Sequence, residues 1–548
     1  MRTVMVDIKQ NHPAVSYFEK NTTGSRAVRN TANFLIRNTM TGLCKSPEER
    51  THMETEVLHT VFTGIQKANA YKDIQEGKAI SAAFQKVKSG ELAGLKAHAY
   101  LKSKLDSCGK RFSYPTMDHW FLSYEVLDAV LKHTGNTAYY SCTSQVNQQA
   151  IRKTVASWKA YFKALKDWKK NPGKYQAKPR IPGYIREHKA TAHFTNQVCR
   201  MVRTGGRLYL SFANCKQPVH IGRETLIPGK YVKTEIKPFC GRYRICITYE
   251  DVFQEPELPA DPKRILGLDI GLENFLAGAS NTGARPFLIR GGWLKSLNQW
   301  FNKRRAKLLS TLTRGDDSQH SRKHSHALDA LSRNRNNHIR DFFYKAAHWV
   351  MRWCISHQIE VIVIGHTKGM KQEINIGKAN NQNFVTIPYE RFLRVLKTVS
   401  CKYGVPVVER EESYTSQASL LDLDAIPTYG DGDEESVFSG ERIKRGLYRS
   451  SDGRLIHADI NGAGNIARKE YPHMFDEMDM GYLCDTVDVV TGEKILNIKR
   501  HKSRKGYKKR KSPAAKARHE SRKSKRLELR ILLEVNPQIK TAKKQIAA

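Results

Sequence analysis

The stretch ILGLDIGLENFLAGASNTGARPFLIRG, residues 265–291, decides the fold. Its opening, ILGLDIG (265–271), is a continuous apolar run closed by one acid, Asp269, as in a strand buried on both faces. FLAGAS (275–280), Asn281-Thr282-Gly283 and PFLIRG (286–291) read as a hairpin around its turn. Downstream, residues 294–356 read as two long helices. The first carries Lys303, Arg304 and Arg305, and the second has Ile339, Phe343, Ala347, Val350 and Cys354 at helical spacing. IEVIVIG (359–365) is a second buried strand. Phe392, Val395, Leu396 and Val399 mark another amphipathic helix, followed by the strand VPVVERE (405–411). Buried strands alternating with helices indicate an α/β unit.

The order strand–hairpin–helix–strand–helix–strand suits an RNase H-like sheet. Upstream the pattern differs. Residues 1–10 alternate as a strand does, and 25–145 look mainly helical, with breaks around 45–50 and 105–118. Within 148–170, Ile151, Val155, Trp158, Phe162 and Leu165 make one apolar stripe, and Arg152, Lys153, Lys159, Lys163, Lys166, Lys169 and Lys170 cover the rest. These cations lack an acidic partner on their face, which favours a polyanion contact over a merely solvated surface. The prolines of KPRIPGY (178–184) force an extended path that carries Lys178 and Arg180. Residues 190–251 are strand-like. In RYRICITY (242–249), Tyr243, Ile245, Ile247 and Tyr249 alternate with Arg242, Arg244, Cys246 and Thr248, which predicts a half-buried strand with one basic face. The Pro- and acid-rich stretch 252–263, containing EPELPADP, marks a domain boundary.

At roughly 150 residues per domain, 548 residues suggest about three to four folding units, and 40% hydrophobic content is ample for a core. Lys and Arg number 93 against 53 Asp and Glu, a net charge of +40. Such a chain repels itself unless a polyanion neutralises it, and nucleic acid is the obvious candidate. Residues 499–530 hold +14 of that charge in a low-complexity segment that reads as disordered when free; the rest lies elsewhere, and the acidic loop GDGDEE (430–435) is too short to offset it. There is no uncharged apolar run of about 18 residues, so no membrane span is expected. The opening MRTVMVDIKQNHPAV lacks the apolar core of a signal peptide. Ten Cys without a C-x-x-C pair point to reduced thiols, neither a disulfide framework nor a zinc finger.

Two acids stand where chemistry could occur. A carboxylate at the end of a buried strand, as at Asp269, should be paired or metal-bound. Taken alone, Leu-Asp-Ile-Gly is also a turn or capping signal, and it occurs in actin- and sugar-kinase-type ATPases. Asp459 lies in HADINGAGNI (457–466), where Ala458, Ala463 and Ile466 could face a sheet while Asp459 opens the helix. The small residues 462–464 permit a close approach to a strand. The plain alternative is an N-cap Asp worth about 1 kcal/mol. A two-metal site gathers three or four carboxylates around ions about 3.5–4 Å apart, so a third acid is required.

GLDIGLENF (267–275), IEVIVIG (359–365), REESYTSQAS (410–419) and HADINGAGNIARK (457–469) together resemble the three RuvC segments of the transposon-encoded TnpB proteins and of the compact type V CRISPR effectors that descend from them. NQQAIRKTVASWKAYF (147–162) and KPRIPGY resemble that family's RNA-binding half. The resemblance covers roughly residues 145–470 and extends over the whole chain to about residue 500. It implies an α+β multidomain chain: an RNase H-like (RuvC) α/β nuclease domain, a β-rich wedge domain and a helical recognition lobe. On this sequence that gives a wedge strand at 1–20, a helical lobe at 21–145 and a wedge or RNA-binding region at 146–255. The nuclease follows at 264–412, with a helical insertion at 294–356. A degenerate zinc-ribbon insertion at 413–456, the third RuvC segment at 457–498 and a basic tail at 499–548 complete the chain.

Two departures from the family matter. Its second catalytic acid is usually a Glu at the end of the strand written here as IEVIVIG. This chain has Gly365 there, followed by His366, and Glu360 stands at the wrong end. The chain also has no Cys between Thr415 and Asp459, so no Cys-ligated zinc is expected. Glu411 and Glu412, at the end of the neighbouring strand, are the candidates for a relocated acid. Strand residues alternate faces, so only one of them should point at the site. The alternative is that both face solvent as partners of RNA-side lysines.

The resemblance implies an RNA-guided DNA endonuclease. Phosphodiester hydrolysis would depend on Mg²⁺, with Asp269 between two ions and Glu411 or Glu412 and Asp459 each holding one. Guide RNA would select a double-stranded DNA target beside a short motif read by the protein. Arg152, Lys153, Lys159, Lys163, Lys166, Lys178, Arg180, Lys303, Arg304 and Arg305 would hold nucleic acid. One chain per RNA and a bacterial or archaeal cytoplasm fit the family type. The rivals are a nuclease-dead RNA-guided repressor, suggested by Gly365, an actin-like ATPase, suggested by the Leu-Asp-Ile-Gly turn, and a guide-independent resolvase or nucleic-acid chaperone.

Overall fold

A computed structural model describes residues 1–313, 324–366, 387–427 and 437–498. The acidic loop 430–435 and the basic segment 499–548 lie outside the described residues. The chain divides into two compact units, Met1–Ile495 and Leu496–Ala548, and the architecture below is that of the first.

Its N-terminal part follows the expected punctuation. β1 (Arg2–Ile8) precedes the helices α1 (Val15–Leu43), α2 (His52–Lys88), α3 (Gly94–Cys108), α4 (Tyr124–His133), α5 (Thr137–Tyr140) and α6 (Ser144–Lys170). The break near 45–50 ends at Thr51, whose side chain and that of Glu54 cap the start of α2 reciprocally. The α6 stripe packs as its spacing predicts: Ile151, Val155 and Trp158 are buried, and the Trp158 indole donates to Asn33 Oδ1 at 2.8 Å. Six strands follow: β2 (Ala192–Thr195), β3 (Cys199–Thr204), β4 (Arg207–Phe212), β5 (Val219–Arg223), β6 (Lys230–Phe239) and β7 (Arg242–Glu250). They form two antiparallel sheets, ordered β1-β7-β6-β2 and β3-β4-β5.

The expected basic face of β7 is a correction. Register places Asp7 of β1 opposite Arg244, and the Arg244 guanidinium grips the Asp7 carboxylate with two bonds of 2.6 and 2.9 Å. Arg244 is buried and stacks over the Phe239 ring at 3.5 Å. Its charge is spent on sheet pairing rather than presented on a surface.

The second part is a six-stranded mixed sheet built from β8 (Ile265–Asp269), β9 (Asn274–Ser280), β10 (Phe287–Arg290), β11 (Val361–Gly365), β12 (Val407–Arg410) and β16 (Asp488–Val490). The order is β12-β11-β8-β9-β10-β16; β8, β9 and β10 run antiparallel, whereas β11 and β12 continue the sheet parallel to β8. This is the RNase H-like arrangement expected from the element order. The long helices are α7 (Gly292–Leu312) and α8 (His326–Ser356), and α9 (Tyr389–Tyr403) leads into β12. Phe275 of β9 packs edge-on against Phe342 of α8 and Phe392 of α9, with ring centres 5.2 and 4.7 Å apart. A small antiparallel sheet, β13 (Glu441–Lys444), β14 (Leu447–Arg449) and β15 (Leu455–Ile456), lies between β12 and α10 (Ala458–Glu470) in the chain.

The placement of α10 depends on small residues. A side chain at Gly267 of β8 would collide with the Ala463 carbonyl, so helix and strand meet backbone to backbone. Ala458, Ala463 and Ile466 are buried there, as their spacing predicts.

Candidate functional site

Three carboxylates approach one another at one end of the six-stranded sheet. Asp269 closes β8, and its carboxylate lies 3.3 Å from where a side chain on Gly462 of α10 would begin. Asp459 stands in the first turn of α10, whose start is capped by the His457 ring accepting from the Asp459 amide at 3.2 Å. Parallel pairing sets Ile364 of β11 level with Leu268 of β8, which brings Gly365 beside Asp269. Glu412 follows the end of β12. Its Oε2 lies 2.8 Å from the position a Cβ on Gly365 would take, beside Ile466 Cδ1 at 2.6 Å. The carboxylate of Glu412 therefore reaches the space that a side chain on residue 365 would enter.

The electrostatics show that these groups feel one another. Burial pushes the Asp269 carboxyl up to about 8, and the neighbouring charges of Asp459 and Glu412 push in the same direction; Arg442 and the Ile270 amide oppose them. The donor set is oxygen-only and collectively anionic, which fits a hard divalent cation such as Mg²⁺. Among the described residues no three His, Cys, Asp or Glu side chains are drawn together closely enough to hold an ion as they stand. The acids are neighbours, not a closed cage.

The structure separates the adjacent pair. Glu411 turns away from the cluster to Lys469, 2.7 Å from its Nζ, and also accepts from the Ser413 amide at 2.6 Å. Lys469 and the Ser413 amide hold its carboxyl below the usual range despite the opposing effect of burial. Glu360, at the other end of β11, accepts from the amides of Lys263 and Arg264 at 2.6 and 3.3 Å, a structural cap. The His366 amide donates to the Arg410 carbonyl at 2.8 Å, extending the β11–β12 ladder.

Several neighbours carry no mark in the sequence. Asn274 is buried on β9 and donates to Asp459 Oδ2 at 2.7 Å, while its own oxygen accepts from Arg290 at 3.0 Å. Arg442, on β13, comes within 3.8 Å of Asp459 Oδ1, and Arg445 within 3.6 Å of Glu273. No local signal marks Arg442, because a hairpin about 17 residues upstream delivers it.

Among the described residues of 413–456, two acids tie the chain to itself through side-chain hydrogen bonds. Asp424 accepts from the Ser419 amide at 2.7 Å and from the Ser439 amide and hydroxyl at 3.1 and 2.5 Å; Asp422 accepts from the Ser451 amide and hydroxyl at 3.0 and 2.6 Å.

The ten basic residues named as nucleic-acid contacts stand on other elements than the three acids. Arg152, Lys153, Lys159, Lys163 and Lys166 stand on α6, Lys178 and Arg180 on the extended stretch after it, and Lys303, Arg304 and Arg305 on α7. Arg152 lies over the Tyr124 ring at 3.8 Å and Lys178 over Trp168 at 5.7 Å. Among the described residues, no helix is long and apolar enough to cross a membrane.

Residues 245–371 match the family profile OrfB_IS605, described as "Probable transposase". That span contains Asp269 and Gly365 and ends before Glu412 and Asp459. No curated protein matches the chain. Among solved structures, the Cas12f1–sgRNA–target DNA complex is 13% identical, with 86% of this chain and 99% of that chain covered and a TM-score of 0.44. A CRISPR–Cas12f ternary complex is 12% identical over 85% and 99%, with a TM-score of 0.29. Alicyclobacillus acidoterrestris C2c1 with single-guide RNA is 10% identical over 83% and 70%, with a TM-score of 0.28. The resemblance drawn from the RuvC-like segments thus holds over residues 245–371, where the chain is similar to the TnpB-type transposases of the IS605 OrfB family.

Proposed function

We propose that the chain is an RNA-guided DNA endonuclease whose site acids are Asp269, Glu412 and Asp459. The observation that carries this reading is the Glu412 carboxylate lying in the space beside Gly365, next to Asp269. The Ile466 side chain shares that space, and a carboxylate enters it from beyond the end of the neighbouring strand; burial first, and then Asp459 and Glu412, oppose the charge of Asp269. Such mutual repulsion is costly in a folded core and is relieved when a cation binds.

Asp269, Glu412 and Asp459 would hold Mg²⁺, which lowers the pKa of an attacking water and stabilises the leaving 3′ oxygen. The protein's own part is positioning. Asn274 fixes one oxygen of Asp459 and leaves the other directed toward Arg442. Arg442, partly exposed on its hairpin, is placed to meet a DNA phosphate beside the acids. The backbone contact between α10 and β8 holds Asp459 and Asp269 in fixed relation. Guide RNA follows from the resemblance to TnpB-type proteins and from the cations of α6 and α7. The +40 charge fits RNA neutralisation, with the sequence read by base pairing and the backbone held by the protein. The domain layout given above is proposed on the same basis.

The test is cleavage of a guide-matched DNA by the full chain with its copurified RNA and Mg²⁺. Wild type should cut, and Asp269→Ala should bind RNA and target without cutting. Target binding with no cleavage by wild type at any divalent metal would establish the nuclease-dead reading instead.

A further inference from the structure

The relocated acid poses a mechanical problem. Glu412 lies beyond the last paired residue of β12, Arg410, so the strand ladder does not fix its direction. We propose that Lys469 is a positioning residue that aims Glu412 at the acid cluster by gripping the chain on both sides of it. This inference rests on the reading of Asp269, Glu412 and Asp459 as site acids.

Lys469 belongs to the last turn of α10, the helix that carries Asp459 in its first turn. Its side chain is only 4% exposed, an uncommon position for an ammonium group. Its Nζ donates to Glu411 Oε2 at 2.7 Å and to the Ser413 carbonyl at 2.8 Å. The other oxygen of Glu411 accepts from the Ser413 amide at 2.6 Å, closing residues 411–413 into a small turn. The side chain of 411 and the backbone of 413 are both drawn to Lys469, while the carboxylate of the residue between them reaches the space beside Gly365. Thr415 then fixes the Glu412 carbonyl, donating from its hydroxyl at 2.8 Å.

A buried ammonium group is tolerated when its donors are satisfied, and removing it leaves the partner carboxylate unpaired. One helix thus supplies a site acid at its N-terminal end and, about 15 Å along its axis, the grip that directs another. A Glu at position 365 would need no such device, because strand pairing would orient it. Lys469 is therefore the compensation that accompanies the move of the acid to position 412.

The test compares the full chain with Lys469→Met, Lys469→Arg and Glu412→Ala. Mn²⁺ binding is followed by calorimetry without RNA, and Mg²⁺ dependence by guided cleavage. Lys469→Met should weaken Mn²⁺ binding and raise the Mg²⁺ needed for half-maximal cutting by about tenfold, the effect of losing a group that orients a ligand, with guide-RNA affinity unchanged. Lys469→Arg, which keeps the charge, should recover most of the loss. A folded Lys469→Met protein with wild-type Mn²⁺ affinity and Mg²⁺ dependence overturns the proposal. If Lys469→Met does not fold, Glu411→Gln replaces it: weaker Mn²⁺ binding supports the grip, and unchanged binding overturns it. Should Glu412→Ala bind Mn²⁺ as wild type does, the acid assignment fails as well. If Glu412→Ala loses binding while Lys469→Met keeps it, only the role of Lys469 fails.

Discussion

Replacing Asp269 by Asn should stabilise the metal-free protein, and more so as pH rises. Burial and the charges of Asp459 and Glu412 lift the Asp269 carboxyl from an ordinary 3.8 to about 8. A carboxyl with a higher pKa in the folded than in the unfolded chain favours folding in full only below the unfolded value. That contribution disappears as pH climbs through the folded value, so between about pH 4 and 8 the wild-type protein loses stability at this residue. A tenfold change in an acid dissociation constant corresponds to about 1.4 kcal/mol, but local relaxation and water entry relieve part of a buried group's cost. The expected gain for Asp269→Asn at pH 8.5 is therefore about 2–4 kcal/mol, less than an isolated carboxyl would give. Near pH 4 the two proteins should melt together. The assay is a pair of thermal melts in EDTA, at pH 4.5 and pH 8.5, repeated with Mg²⁺ at the higher pH. Mg²⁺ should raise the melting temperature of wild type and leave that of Asp269→Asn nearly unchanged. An Asp269→Asn protein no more stable than wild type at pH 8.5 would refute the claim that these acids repel one another.

Moving the acid back should partly work: Glu412→Ala stops cutting, Gly365→Glu alone crowds Glu412 and Ile466 and lowers activity, and the double variant regains some cleavage in a guided assay. Asp424→Ala leaves the amides of Ser419 and Ser439 without their acceptor and should cost about 1–3 kcal/mol, read as faster proteolysis within 413–456. Reversing Lys159, Lys163 and Lys166 to Glu should weaken RNA binding and flatten its log–log salt dependence by about 0.7–0.9 for each phosphate no longer neutralised, measured between 50 and 200 mM salt.

What the sequence made legible was whatever local pattern controls. Asp269 ends a continuous apolar run, and the run is β8. The small residues around Gly462 and Ala463 announce a helix that must touch a strand, and α10 does so at Gly267. The α6 stripe needed only a 3.6-residue period. Long-range pairing defeated the reading of β7, since nothing near Arg244 shows that Asp7, far away in the chain, will stand opposite it. The same cause hid Asn274 and Arg442, whose significance depends on where Asp459 arrives. Alternation along a strand could say that Glu411 and Glu412 diverge but not which one faces the site. That depends on other segments, as the pairing of Glu411 with Lys469 of α10 shows.

The assignment of Glu412 is decided by the rate of guide-dependent DNA cleavage by Glu412→Ala beside Glu411→Gln at saturating Mg²⁺. Glu412→Ala should bind guide and target normally but not cut, whereas Glu411→Gln should cut at close to the wild-type rate. Cutting by Glu412→Ala at the wild-type rate would contradict that assignment.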